Sequence, residues 1–132
     1  MTVLAAERTF WEKATLLHAE YHRPMASATP LRISRHYYDL HQLAGSEQGR
    51  RALADRRLLA RVAEHKQVYF PSGWAQYEKA VAGELHLVPP EARRQEIAQD
   101  YTQMRDMFFG SVPEFGQLLD ALQRLEERIN SG

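Results

Sequence analysis

The last third of the chain carries the pattern that most restricts its fold. Phe115, Leu118, Leu119, Leu122, Leu125 and Ile129 recur at three- and four-residue intervals with polar residues between them. That period lines them up on one face of an α-helix, whereas a strand would scatter them over both faces. Just ahead, Ser111-Val112-Pro113-Glu114 has the Ser-x-x-Glu form of a capping box that opens a helix. An amphipathic helix of this kind must lay its stripe against other apolar faces.

The same period supplies those faces upstream. Phe10, Ala14, Leu17 and Tyr21 predict a first helix from about Ala6 to His22, stopping before Pro24. Pro24 to Pro30 is a loop of small residues. A second helix runs from Ser34 as its cap to Leu43, turns Ile33, Tyr37, Leu40 and Ala44 inward, and is ended by Gly45. Gly45 to Gly49 then reads as a turn, with a helical turn or two from Gly49 to Ala54. Leu58, Leu59, Val62, Ala63 and Lys66 outline a further helix to about Val68, with Asp55 as N-cap. The run from Tyr69 to Trp74 is an aromatic turn, suited to closing the core or to stacking a nucleobase. Trp74 to Val81 predicts a short helix. Pro89-Pro90 launches the next one, on which Arg94, Ile97, Tyr101, Met104 and Phe108 share a face up to Gly110. Only Glu84 to Val88 alternates like a strand, and without a second strand it predicts an extended connector. The expected fold is mainly α: one domain over residues 1–132, a bundle of about five or six helices with one short extended segment near Glu84–Val88.

Composition narrows the function classes. The chain has 132 residues, enough for one core that buries roughly two-thirds of the unfolded surface. Seventeen basic residues balance seventeen acidic ones, which argues against a protein whose main task is coating nucleic acid. There is no cysteine, so disulfides and thiolate metal sites are excluded. No stretch approaches membrane length and the N-terminus has no apolar leader, so a cytoplasmic protein is expected.

Two polar residues stand at the borders of apolar stripes. Lys13 lies beside the Phe10–Leu17 stripe of the first helix, and Asp39 beside the Tyr37–Leu40 stripe of the second, one turn from Arg35 and His36. A lysine so placed either snorkels to solvent or meets a carboxylate or a ligand phosphate. Lys66 ends its helix as a cation favoured by the helix dipole, or serves as a phosphate contact. Arg35 pairs with Asp39 or reaches a phosphate. His18 and His22 have the four-residue spacing of a zinc pair, but HAEYH is not HExxH, and helical histidines without a metal are expected.

These residues lie in longer runs that carry a resemblance. ERTFWEKATLLH followed by SRHYYDLHQL resembles the C-terminal half of the nucleotidyltransferase AbiEii/AbiGii toxin family, bacterial type IV toxin–antitoxin and abortive-infection proteins. The likeness continues through HKQVYF, GWAQYEKA, LHLVPP, DYTQMRDMFFG and PEFGQLLDALQRLEERIN. It implies a mechanism shared between two halves: an N-terminal half with a Gly-Ser motif and an Asp-x-Asp pair for metal, and a C-terminal half supplying a lysine and an aspartate. Matched position by position, these are Lys13 and Asp39, with His36 standing where many relatives have a further aspartate. Lys13 would act on nucleotide phosphates, and Asp39 as metal ligand, orienter of Lys13 or general base. Arg35 and Lys66 are candidate phosphate contacts.

One departure is large. The chain contains no Asp-x-Asp, and its Gly45-Ser46 comes after Asp39. Phosphoryl transfer needs carboxylates to hold Mg²⁺ against a triphosphate. The resemblance therefore implies part of an enzyme, using Mg²⁺ and an NTP when complete and holding neither by itself. Its partners would be the missing N-terminal half, an RNA acceptor such as tRNA, and an antitoxin. The alternative is a non-catalytic helical interaction or regulatory domain of the same descent. Under the enzymatic reading, Lys13 and Asp39 should face each other across the junction of the first two helices, within about 10 Å and open to solvent.

Overall fold

A computed structural model describes residues 5–24, 26, 32–69, 75–81, 83–105 and 113–131. Among them are six α-helices and no strand: α1 (Ala5–Tyr21), α2 (Ser34–Ala44), α3 (Glu47–Ala54), α4 (Arg56–Tyr69), α5 (Glu91–Met104) and α6 (Phe115–Ser131), with a 3₁₀ turn at Tyr77–Lys79. The mainly α expectation holds. No helix among the described residues is long and apolar enough to cross a membrane. The predicted features at 27–30, 70–74 and 106–112, including the aromatic turn, Phe108, Gly110 and Ser111, lie outside the described residues.

Helix α1 is the element around which others gather. Its stripe is wider than the sequence period suggests: Trp11, Thr15 and His18 are buried along with Phe10, Ala14 and Leu17. The reason is that α2, α3 and α4 all pack on it, and a helix with neighbours on several sides buries more than one face. The Trp11 indole N–H donates to the Ala52 carbonyl at 2.9 Å, tying α1 to α3. Helix α2 packs on α1 and also meets α5 and α6. It buries Ile33, Tyr37 and Leu40 as expected, and α6 contributes Leu118, Leu122, Leu125 and Ile129 to the same core. Each such side chain stabilises the fold by about 1.5–3 kcal/mol through burial.

Several local expectations are corrected. Ser34 does not cap α2: the N-cap position is Ile33, in right-handed helical geometry, with no side-chain cap of its own. The cap comes from α5, where Asp100 accepts from the Arg32 N–H at 2.8 Å, the Ser34 N–H at 2.9 Å and the Ser34 hydroxyl. A carboxylate at a helix N-terminus satisfies donors that the helix leaves open and suits the dipole. The Gly45–Gly49 turn is instead the start of α3, capped by Ser46, whose hydroxyl oxygen accepts from the Gly49 N–H. Gly49 is required by space, since a Cβ there would lie 1.9 Å from the Leu43 carbonyl oxygen. On α5 the buried arginine is Arg93, not Arg94; Arg93 donates to the Pro24 carbonyl. Helix α6 begins at Phe115, so Glu114 stands ahead of the first turn and its N–H donates to Gln117 Oε1. Asp55 does cap α4, accepting from the Leu58 N–H.

The Glu84–Val88 connector has no partner strand among the described residues, and side chains take the place of one. Asn130 of α6 accepts from the Leu85 N–H and donates to the Leu85 carbonyl. Glu126, one turn earlier, accepts from the Leu87 N–H at 2.7 Å. His18 of α1 accepts from the His86 N–H at 3.2 Å. Backbone groups buried beside Leu85 and Leu87 must be paired, and two helices supply the partners. The alternation Leu85, His86, Leu87 records a two-sided environment rather than a ladder.

Candidate functional site

Packing the α1 and α2 stripes together brings their polar borders into one edge. Lys13 Nζ lies 3.2 Å from Asp39 Oδ2, with the lysine side chain 22% and the aspartate 31% exposed. The pair faces as expected and stays accessible. It is, however, in direct contact, so a phosphate-sized group would meet it from the open side and not from between. At this exposure an ion pair contributes about 0–1 kcal/mol to stability, less than one buried leucine.

The other donors and acceptors define the edge further. Lys13 Nζ donates to His36 Nδ1 at 2.9 Å. An ammonium only donates, so Nδ1 must be unprotonated and the neutral ring carries its hydrogen on Nε2. Burial pushes the His36 pKa below its ordinary value, and the Lys13 charge pushes it the same way. Arg35 Nε stands 3.9 Å from Asp39 Oδ2, one turn along α2, and its side chain is 66% exposed. Sequence reasoning noted His36 as a neighbour of Asp39 and as standing where many relatives have a further aspartate, but not as a partner of Lys13. Its position three residues before Asp39, on the same helical border, was the available signal.

Lys66 sits apart from the ion pair and touches the residue that precedes Lys13. It lies in the last turn of α4, yet its ammonium reaches across to α1 and donates to the Glu12 carbonyl at 3.1 Å. It thus braces the residue before Lys13 instead of its own helix end. Burial lowers its pKa, the Glu12 carboxylate opposes that, and the Lys13 charge adds to it. Its ammonium is 6.0 Å from the centre of the Tyr77 ring.

Metal chemistry does not fit this edge. Among the described residues Asp39 is the one carboxylate in contact with Lys13, and both Lys13 and Arg35 already face the same oxygen, whereas Mg²⁺ requires carboxylates facing an open coordination sphere. The histidines form a second cluster. His18 donates from Nε2 to the Gln76 carbonyl and accepts at Nδ1 from the His86 N–H, so both ring nitrogens are occupied. Burial lowers its pKa to about 4, and the neighbouring His22 and His86 add to that. The His86 ring stacks on Tyr21 at 3.9 Å. Among the described residues no group of three histidine or acidic side chains is arranged to hold a metal.

Two hollows lie elsewhere. One, of about 260 Å³, is lined by His41, Leu53, Arg124 and Arg128. The other, of about 360 Å³, is lined by Tyr21, His86, Arg94 and Glu126. At the Lys13–Asp39 edge the partly exposed cations Lys13 and Arg35 are suited to phosphate oxygens arriving from outside.

Comparison with known proteins bears on what such an edge serves. No curated protein and no solved structure matches the chain. A family model described as nucleotidyl transferase AbiEii toxin, type IV TA system, matches residues 1–124 of the 132. The chain belongs to the AbiEii nucleotidyl transferase toxin family of type IV toxin–antitoxin systems.

Proposed function

We propose that this chain is the C-terminal helical domain of a nucleotidyltransferase toxin, contributing Lys13 and Asp39 to a site that transfers a nucleotide from an NTP to an RNA acceptor, tRNA foremost. The observation that carries this reading is the contact between Lys13 and Asp39 at the α1–α2 edge, at 3.2 Å and open to solvent. Lys13 places a point charge on the nucleotide phosphates, and Asp39 orients that charge. Arg35 adds a second cation from the same side, and Lys66 supports the α1 backbone at Glu12.

The Mg²⁺ that accompanies the NTP belongs to carboxylates outside these 132 residues, because the chain has no Asp-x-Asp and its edge has no free carboxylate pair. Transfer to a tRNA would stop translation in the cytoplasm, with an antitoxin opposing it. The lack of an Asp-x-Asp also favours a second reading, a non-catalytic interaction or regulatory domain derived from the family.

Labelled NTP and tRNA separate the readings. The purified chain should transfer no nucleotide at any Mg²⁺ concentration. When it is joined to an upstream segment bearing Gly-Ser and Asp-x-Asp, transfer should appear and be lost in Lys13→Ala and Asp39→Ala. Robust incorporation by the 132-residue protein would show that the catalytic centre lies elsewhere in it. Transfer that survives both substitutions would favour the interaction domain.

A further inference from the structure

The Lys13 ammonium has three N–H donors and no acceptor. One donor goes to His36 Nδ1 at 2.9 Å and one to Asp39 Oδ2 at 3.2 Å. Both acceptors project from α2, three residues apart, so they hold the ammonium from two directions. Among the described residues no third acceptor meets it, and the side chain keeps an open side. We propose that His36 is a positioning residue: as a neutral acceptor it works with Asp39 to aim the remaining N–H of Lys13 at a phosphate oxygen of the nucleotide. This rests on the nucleotidyltransferase reading of the site.

Charge explains why a neutral acceptor suits this place. Within the contacting group, Lys13 and Arg35 bring two positive charges and Asp39 one negative charge, and nearby Glu20 is neutralised by Arg23, so with a neutral His36 the sum is +1. A second carboxylate at position 36 would hold Lys13 equally well but bring the sum to zero, weakening attraction for a polyphosphate. The groups acting on His36 are Lys13 and Glu20 from α1 and Asp39 and Arg35 from α2. Burial and the two cations favour the neutral ring, the two carboxylates oppose it, and the balance lies on the neutral side.

Two measurements on the full chain test this. The first is long-range ¹H–¹⁵N NMR of the histidine rings. Neutral His36 should carry its hydrogen on Nε2, and its titration midpoint should rise in Lys13→Met, which removes the neighbouring charge. An Nδ1–H ring, or a midpoint indifferent to Lys13→Met, overturns the proposal. The second uses millimolar inorganic tripolyphosphate without Mg²⁺ as the probe, followed by ³¹P NMR. It thus reads the weak contact of the edge cations alone and not the binding of a metal-bound NTP, which needs the complete enzyme. His36→Leu, which has no acceptor, should weaken binding roughly tenfold, the value of one charged hydrogen bond. His36→Asn, whose Oδ1 can replace Nδ1, should stay within about twofold of wild type because the hydrogen bond is retained. Unchanged binding by His36→Leu, or equal loss in both variants, overturns the role of His36 alone. No binding by the wild type overturns the phosphate site itself and the aiming role with it.

Discussion

Asp100→Ala tests whether a residue far along the chain sets the start of the helix that carries Arg35, His36 and Asp39. The carboxylate accepts three hydrogen bonds, two from backbone N–H groups at 2.8 and 2.9 Å and one from the Ser34 hydroxyl. Ser34 is buried, so water cannot replace Asp100 there: the hydroxyl keeps only the weak acceptor Met104 Sδ at 3.5 Å, and the backbone N–H is left unpaired. Losing a helix cap costs about 0.5–2 kcal/mol, and leaving a buried donor unsatisfied costs about 1–3 kcal/mol. The two overlap in one network, so the expected loss is about 2–3 kcal/mol rather than their sum. Urea unfolding followed by circular dichroism reads this directly. With a slope of about 1–3 kcal/mol per molar, the midpoint should fall by roughly 1 M. Asp120→Ala, an exposed aspartate of α6, serves as the control and should stay within about 0.5 kcal/mol. A loss under about 0.5 kcal/mol in Asp100→Ala would mean that α2 starts without help from α5, and the capping argument would fail.

Two other outcomes follow from the same packing. Leu122, 1% exposed within the α6 stripe, should cost about 2–5 kcal/mol when replaced by alanine, and an effect under ~0.5 kcal/mol would place α6 outside the core. His18, whose pKa is lowered to about 4 by burial, binds its proton more readily unfolded than folded. Its contribution is thus fully present above about pH 6.5 and is lost as pH falls toward about 4. Urea midpoints at pH 7 and pH 5 should therefore differ more for wild type than for His18→Gln, and equal differences would contradict that assignment.

Local periodicity was enough to place α1, α2, α4, α5 and α6, whereas α3 starts ahead of Gly49 and the helix expected from Trp74 to Val81 is, over its described part, a 3₁₀ turn at Tyr77–Lys79. The α6 stripe, the α2 stripe and the start of α4 at Asp55 are each decided by residues within a few turns, because helix formation depends on spacing along one segment. The borders of those stripes likewise located Lys13 and Asp39, since a polar residue flanking a core face must emerge near the seam between two packed helices. What adjacent spacing could not convey is which distant group satisfies a given backbone or side-chain atom. Asp100 caps α2 across 66 residues of chain, and Asn130 and Glu126 complete the Glu84–Val88 connector from α6. His36 becomes a partner of Lys13 only when α2 lies against α1. Lys66 turns away from its own helix end for the Glu12 carbonyl for the same reason. Burial removes water as the default partner, so each polar group takes whatever the packed neighbour presents. That choice is made by the assembled fold, while the apolar pattern that assembles it is written in the sequence alone.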